Sequence, residues 1–226
     1  MARIGSRRVA QGYEPAAVHP DGRANRVREK MPEISLTDFV DYALAPGPSQ
    51  LVKVRELKQR GEYEPAHDYW RDLREWIIDA EYGRRTLRQV EQLALAARVG
   101  KSANYQAALA GFRKFARRRP GTIATRPKRD RWEHDGLIVR VNPELCYRTP
   151  SGRLCVKLYF KKEPRPTKHR ADIILLLVSQ AIANHDVALL DVPTGKLIEG
   201  KLTKSDLPIY LRAQATAFVQ MWQQLT

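Results

Sequence analysis

Two strand-forming segments on either side of a turn carry residues whose types and spacing are suited to chemistry. The turn covers residues 149–152, and its length predicts a hairpin in which Glu144 faces Lys157 and Cys146 faces Cys155. Directly opposed residues in antiparallel strands lie on the same face of a sheet. One face is therefore predicted to carry an acid, a lysine and two thiols, while the other face turns apolar side chains to the core.

An acid opposite a lysine has two interpretations. The first is a cross-strand ion pair at the sheet surface, which contributes at most about 1 kcal/mol. The second is a metal-dependent nuclease site, in which Glu144 binds Mg²⁺ and Lys157 positions the attacking water or stabilises negative charge. Because a single carboxylate is a poor Mg²⁺ site, a second acid must approach, and Asp135, Glu163 and Asp172 are the candidates.

Positive charge is concentrated in one segment, residues 82–170. This segment holds 23 Lys and Arg against 6 Asp and Glu, a net charge of +17, whereas the whole chain carries +15. The remainder of the chain therefore sums to −2. A field of one sign on part of a protein favours a polyanionic partner, and we predict a nucleic acid, DNA or RNA, held mainly by its phosphates.

The basic side chains form three clusters: at the end of a predicted helix, in the loop before the sheet and in the loop after the third strand. Arginine forks make two-point contacts with phosphate, and an exposed tryptophan stacks on a base. The predicted nucleic-acid-binding residues are Arg113, Lys114, Arg117, Arg118 and Arg119; Arg126, Lys128, Arg129, Arg131 and Trp132; and Lys161, Lys162, Arg165, Lys168 and Arg170.

The sequence offers little support for other cofactors or for a membrane. Two cysteines predict free thiols rather than a disulfide framework, and the scattered histidines show no zinc-binding spacing. Phosphate-binding glycine loops are absent, so no cofactor is expected except Mg²⁺ in a nuclease. No apolar run is long enough to span a bilayer, and a cytoplasmic protein without membrane contact is predicted.

The sequence pattern predicts helices and strands that position these residues, and together they form an α+β fold. Residues 1–34 are predicted to be a basic, poorly ordered arm, and residues 35–120 a helical region that opens with a cap at Ser35. A basic loop, 121–134, then leads into a small mixed β-sheet flanked by helices in the order β-β-β-α-β-β-α. This sheet region, 121–226, is expected to fold alone or as one compact unit with residues 84–120.

A helix, three antiparallel strands, a helix and a further strand resemble the core of the PD-(D/E)XK nuclease superfamily, over about residues 87–225. In that family an acid lies on the second strand and an acid-x-Lys triplet on the third. The resemblance implies that Glu144 is the first acid and that Lys157 is the lysine of the triplet Cys155-Val156-Lys157. The departure from the pattern is Cys155, which stands where the family has Asp or Glu.

Three functions follow from these features. We favour a non-catalytic nucleic-acid-binding protein that uses the basic segment. The alternatives are a Mg²⁺-dependent nuclease with Glu144 and Lys157 as catalytic residues, and a protein-interaction module whose docking surface is the acidic helical region 36–81. Whether the chain is an enzyme is left open by the sequence.

Overall fold

The computed structural model describes residues 31–60, 68–124, 130–200 and 206–225, and these form an α+β fold. The described helices are α1 (Leu36–Ala43), α2 (Pro48–Arg60), α3 (Arg71–Glu81), α4 (Leu87–Leu95), α5 (Ser102–Ala116), α6 (Lys168–Ala181) and α7 (Leu207–Gln224). The described strands are β1 (Glu33–Ser35), β2 (Thr122–Ile123), β3 (Asp130–His134), β4 (Leu137–Val141), β5 (Leu145–Thr149), β6 (Gly152–Tyr159), β7 (Asp186–Asp191) and β8 (Lys196–Glu199). None of the described helices combines the length and apolar character needed to cross a membrane.

The described strands form two sheets rather than the single sheet that the sequence predicted. The larger sheet has the order β2-β5-β6-β7-β8, and the smaller has the order β1-β4-β3. All pairs in the larger sheet are antiparallel except β6 with β7, which are parallel and are connected by α6. A parallel pair requires such a crossover connection, and the apolar run of α6 covers the sheet there.

The central part of the larger sheet, in β5, β6 and β7, is buried on both faces. Leu145, Tyr147 and Val156 pack on one face against α3, α4 and α5. Cys146 and Cys155 belong to the other face, which packs against α1, α6, α7 and the smaller sheet. Helices therefore cover the thiol face as well as the apolar face, whereas one interpretation of the sequence placed a surface ion pair on the thiol face.

Local signals in the sequence predicted several elements correctly. The Ser35 hydroxyl accepts the Asp38 N–H at 3.1 Å and begins α1, as its cap pattern predicted. The hairpin register is confirmed, since Cys146 pairs with Cys155 and Arg148 with Arg153. A four-residue turn leaves little freedom for the register to slip.

Two strands lie inside residues 121–134, which were predicted to be a loop. β2 has two residues, and β3 has one buried apolar side chain, Trp132. Neither shows the alternation that marks a strand in sequence. They form because β5 and β4 offer paired edges to them, which is a tertiary effect.

A buried charge joins α3 to the segment after α5 and to β5. The Arg119 guanidinium makes two-point contacts with the Glu81 carboxylate, at 2.6 Å and 2.9 Å. The Tyr147 hydroxyl donates to the same carboxylate at 2.7 Å. The Glu81 side chain is 1% exposed, so this carboxylate depends on these partners. Arg119, predicted to bind nucleic acid, is instead held by an acid of the fold.

We expect Arg119→Ala to lower the free energy of unfolding by about 3 to 5 kcal/mol, because it leaves the buried Glu81 carboxylate without its cation. The matched control is Arg113→Ala. Arg113 pairs with Glu91 at a nitrogen-to-oxygen distance of 2.7 Å, and the Glu91 side chain is 35% exposed. Exposed pairs contribute at most about 1 kcal/mol, so the control loses little. Urea unfolding of both variants measures the difference, and equal losses would contradict this account.

Candidate functional site

The predicted pair of Glu144 and Lys157 is in contact, but inside the protein. Glu144 precedes β5 and Lys157 lies in β6, and the Glu144 Oε1 to Lys157 Nζ distance is 2.5 Å. Their side chains are 6% and 16% exposed. The pair therefore belongs to the interior, which corrects the interpretation of a surface ion pair.

The remaining hydrogen-bonding groups of this pair are also used. The Lys157 ammonium donates to the Asn142 carbonyl at 2.9 Å. The second Glu144 oxygen, Oε2, accepts the backbone N–H of Leu158 at 2.8 Å. A carboxylate with both oxygens engaged has limited capacity for Mg²⁺, which prefers several oxygen ligands and water.

The acids predicted to assist Glu144 lie in other environments. Asp172 pairs with Lys168 at 3.2 Å, and Glu163 is an exposed neighbour of Arg165 at 3.8 Å. Asp135 sits between β3 and β4 with a φ of 49°. Within the described ranges, no group of three or more metal-ligating side chains includes Glu144. The roles of Glu144 and Lys157 in catalysis stay predictions.

The space beside the pair is small. A cavity of about 20 Å³ is lined by Lys157, Leu158, Tyr159 and Arg170, together with apolar residues of α1 and α6. Such a volume holds about one water molecule. A nucleotide does not fit there without movement of α1.

Asp41 on α1 forms ion pairs with two of the cations that were predicted to bind nucleic acid. Lys161 Nζ donates to Asp41 Oδ2 at 2.6 Å, and Arg170 donates to Oδ1 at 2.5 Å. Burial by itself raises the pKa of Asp41, but hydrogen bonds and charge from Lys161 and Arg170 outweigh it and lower the pKa below 3.8. Arg170 is buried, at 7% exposed, so the prediction that it binds phosphate is corrected.

Trp132 is also buried rather than available to a base. It is 8% exposed, its indole N–H donates to Gln180 at 2.7 Å, and its ring packs against Phe39 and His134. The predicted stacking of Trp132 on a base required an exposed ring, and this requirement is not met. Pairing of β3 with β4 turns this one side chain into the core.

Many of the remaining predicted cations have acidic partners. Of the residues predicted to bind nucleic acid, those paired with an acid in the described structure are Arg113, Arg119, Arg131, Lys161, Arg165, Lys168 and Arg170. Lys114, Arg117, Arg118 and Lys162 are exposed and have no acidic partner in the described part of the chain. The predicted contacts Arg126, Lys128 and Arg129 lie outside the described residues.

Sequence reasoning missed two arginines at the tip of the hairpin. Arg148 and Arg153 are exposed, directly opposed in β5 and β6, and have no acid partner among the residues described. The chain leaving α5 passes close by, since a Cβ on Gly121 would lie 2.0 Å from the Arg148 carbonyl oxygen. We define the hairpin-end patch as Arg117, Arg118, Arg148 and Arg153.

The predicted basic clusters do not converge over the hairpin face. The cluster after α5 lies near the start of β6, whereas Lys161 and Arg170 follow its end. Six residue steps separate Arg153 from Tyr159, a distance of about 20 Å in a strand. These described residues therefore do not frame a binding groove over Glu144 and Lys157.

Comparison with known proteins adds no relative. A scan of protein-family models, a search of curated proteins and a search of solved structures each returned no match. Function must therefore be argued from the geometry of this chain.

A second group of ligand-type side chains lies elsewhere on the thiol face. Cys146, Cys155 and His185 place one ligand atom each within 4.8 Å of one another. Burial raises the pKa of Cys155, and its hydrogen-bonded neighbour Cys146 raises it further. His185 was missed because it lies in the turn between α6 and β7, about thirty residues from Cys155 in sequence.

The acidic helices predicted to dock a protein partner use many of their acids internally. Asp38 pairs with Arg60 at 3.1 Å, Asp79 with Arg84 at 3.3 Å, and Asp41 with the two cations already described. Their charge is therefore partly neutralised within the fold.

The lowered pKa of Asp41 predicts an acid-sensitive contribution to stability. The folded pKa of Asp41 lies below its unfolded value of 3.8, so the ion pairs contribute their full stabilisation at pH values above 3.8. This contribution is lost as the pH falls through the folded pKa. Asp41→Asn should be less stable than the wild type at neutral pH, and this difference should shrink below about pH 4. Thermal unfolding at several pH values measures it. The control is Asp72→Asn. The Asp72 side chain is 53% exposed and lies 3.8 Å from Lys101, so this substitution should change the stability little at any of these pH values.

Proposed function

We propose that this protein binds a nucleic acid through the phosphate backbone, without catalysis, and that the hairpin-end patch is the principal contact. The observation that carries this proposal is the pair Arg148 and Arg153, two exposed and directly opposed cations with no acid partner in the described structure. Arg117 and Arg118, exposed just after α5, add positive charge at the same end of the sheet, on the face opposite Arg148 and Arg153.

The physical reason is electrostatic repulsion within the patch. Like charges directly opposed across two strands destabilise a sheet, and a bound anion removes that cost. Guanidinium groups without acid partners also meet a phosphate without first breaking an ion pair, unlike Arg119 or Arg170. Phosphate contacts position a nucleic acid but do not read its bases, so we expect little sequence preference.

We predict that replacing all four patch arginines with Gln strongly weakens binding and reduces its salt dependence. For duplex DNA, each phosphate contact adds about 0.9 to the steepness with which log K falls as log salt rises. Loss of four contacts should therefore make this dependence shallower by about 3 to 4. Fluorescence anisotropy with labelled duplex DNA, single-stranded DNA and RNA, between about 50 and 200 mM salt, measures both quantities.

The control removes the same charge elsewhere. Lys53, Arg55, Arg71 and Arg212 also have no ion pair with an acid among the described residues, and they lie on α2, α3 and α7. Their replacement with Gln should change affinity much less. Equal losses from both variants would show that net charge rather than the patch binds, and no binding of any probe at about 50 mM salt would reject the function.

A metal-dependent nuclease is the second candidate, because one observation favours it. Helix α5, the antiparallel strands β2, β5 and β6, helix α6 and the parallel strand β7 follow the order that the PD-(D/E)XK resemblance implied. The first strand of that series is β2, which lies in the segment 121–134 that was predicted to be a loop. Against this candidate stand the occupied oxygens of Glu144 and the position of Cys155.

We expect no Mg²⁺- or Mn²⁺-dependent cleavage of plasmid, single-stranded DNA or RNA by the wild-type chain. Cleavage that requires the metal and is lost in Lys157→Ala, but not in the exposed control Lys162→Ala, would replace the favoured function with the nuclease. Circular dichroism must show that Lys157→Ala is folded, since it leaves Glu144 buried without its cation. Cleavage that survives Lys157→Ala would remove Lys157 from the catalytic role.

A further inference from the structure

The thiol face of the larger sheet brings together two cysteines and a histidine from three chain segments. Cys146 and Cys155 are opposed in β5 and β6, with their Sγ atoms 3.2 Å apart. His185 immediately precedes β7, whose first residue, Asp186, pairs with Leu154 beside Cys155. The three potential ligand atoms all lie within 4.8 Å of one another.

These distances are close to those of a tetrahedral metal site. A zinc–sulfur bond of about 2.3 Å and tetrahedral angles place neighbouring ligand atoms about 3.7 Å apart. The Sγ atoms need to separate by about half an ångström to reach that spacing, and the imidazole needs to approach by at most about 1 Å. Side-chain rotation supplies such shifts without moving the strands.

The orientation of His185 supports a ligand role. Its Nδ1 lies 2.7 Å from the Ala183 carbonyl oxygen, an acceptor, so this nitrogen carries the hydrogen. The other nitrogen, Nε2, is then the one left to bind a metal ion. Histidines that bind metals are commonly fixed in this way by a backbone carbonyl. Asn184, with a φ of 64°, makes the left-handed turn that places the ring.

The type of donor atom selects the metal. Two thiolates and an imidazole are soft or borderline ligands, which suit Zn²⁺ far better than Mg²⁺ or Ca²⁺. Cys146 and Cys155 are 1% and 0% exposed, whereas His185 is partly exposed, so an ion enters from the histidine side. That side leaves a fourth coordination position facing solvent.

We propose that Cys146, Cys155 and His185 form a Zn²⁺ site with water as the fourth ligand. The bound ion ties the β5–β6 hairpin to the turn between α6 and β7, and so stabilises the folded chain. This metal site is independent of the nucleic-acid function and of the nuclease alternative, because neither Glu144 nor Lys157 is among its ligands. The two thiol protons are released to solvent when the ion binds.

The test uses the tag-free, full-length chain in a non-thiol reductant, titrated with Zn²⁺ and with Co²⁺ as its spectroscopic substitute. One equivalent of Co²⁺ should give thiolate-to-metal charge-transfer absorption in the near ultraviolet and intense visible bands of a tetrahedral ion. Zn²⁺ should displace it and raise the melting temperature with increasing free concentration.

Variants distinguish the proposed ligands from other binding. His185→Gln, in a turn outside the core, should weaken binding at least about tenfold and remain folded, and Cys155→Ser should abolish the charge-transfer band. The control His169→Gln changes an exposed histidine on α6 and should leave affinity unchanged. Absence of a stoichiometric Co²⁺ complex, a complex without thiolate absorption, or full affinity in His185→Gln would each overturn the proposal.

Discussion

Desolvation on both faces of β6 and β7 is the constraint on which the rest of this structure depends. Helices cover the larger sheet on each side, so a polar side chain on its central strands must find a partner inside the protein. Lys157 meets Glu144 and the Asn142 carbonyl, and Asp191 accepts from the Thr194 hydroxyl at 2.7 Å. The interior is therefore specified by polar pairs as well as by apolar packing.

The same constraint changes how the charge of the sequence should be interpreted. Arg119, Arg170 and Lys157 all add to the basic segment, yet each is held by a buried or partly buried carboxylate. A charge count overestimates the positive surface because it includes cations that neutralise acids within the fold. Within the basic segment, the described cations without an acid partner include Arg117 and Arg118 just after α5 and Arg148 and Arg153 beside the hairpin turn.

Local features were predictable from sequence and long-range features were not. The cap at Ser35 and the register of the hairpin depend on residues within about ten positions of one another, and both were predicted correctly. The burial of Trp132 depends on Gln180, 48 residues away, and the pairing of Lys161 depends on Asp41, 120 residues away. Neither hydrophobic periodicity nor turn length identifies such distant partners. The contact between Glu144 and Lys157 was therefore predicted from the sequence, but their burial was not.

The departure at Cys155 has a physical explanation once the register is known. Cys155 lies opposite Cys146, two positions before Lys157 on the same face, so its sulfur points toward the other thiol and His185. An acid there would place a carboxylate among apolar side chains of α6 and the smaller sheet, at the desolvation cost of a buried charge. The position has soft donors in place of hard oxygen, and soft donors select Zn²⁺ over Mg²⁺. The donor atoms of this hairpin are therefore those that the proposed Zn²⁺ site requires rather than those that a Mg²⁺ site requires.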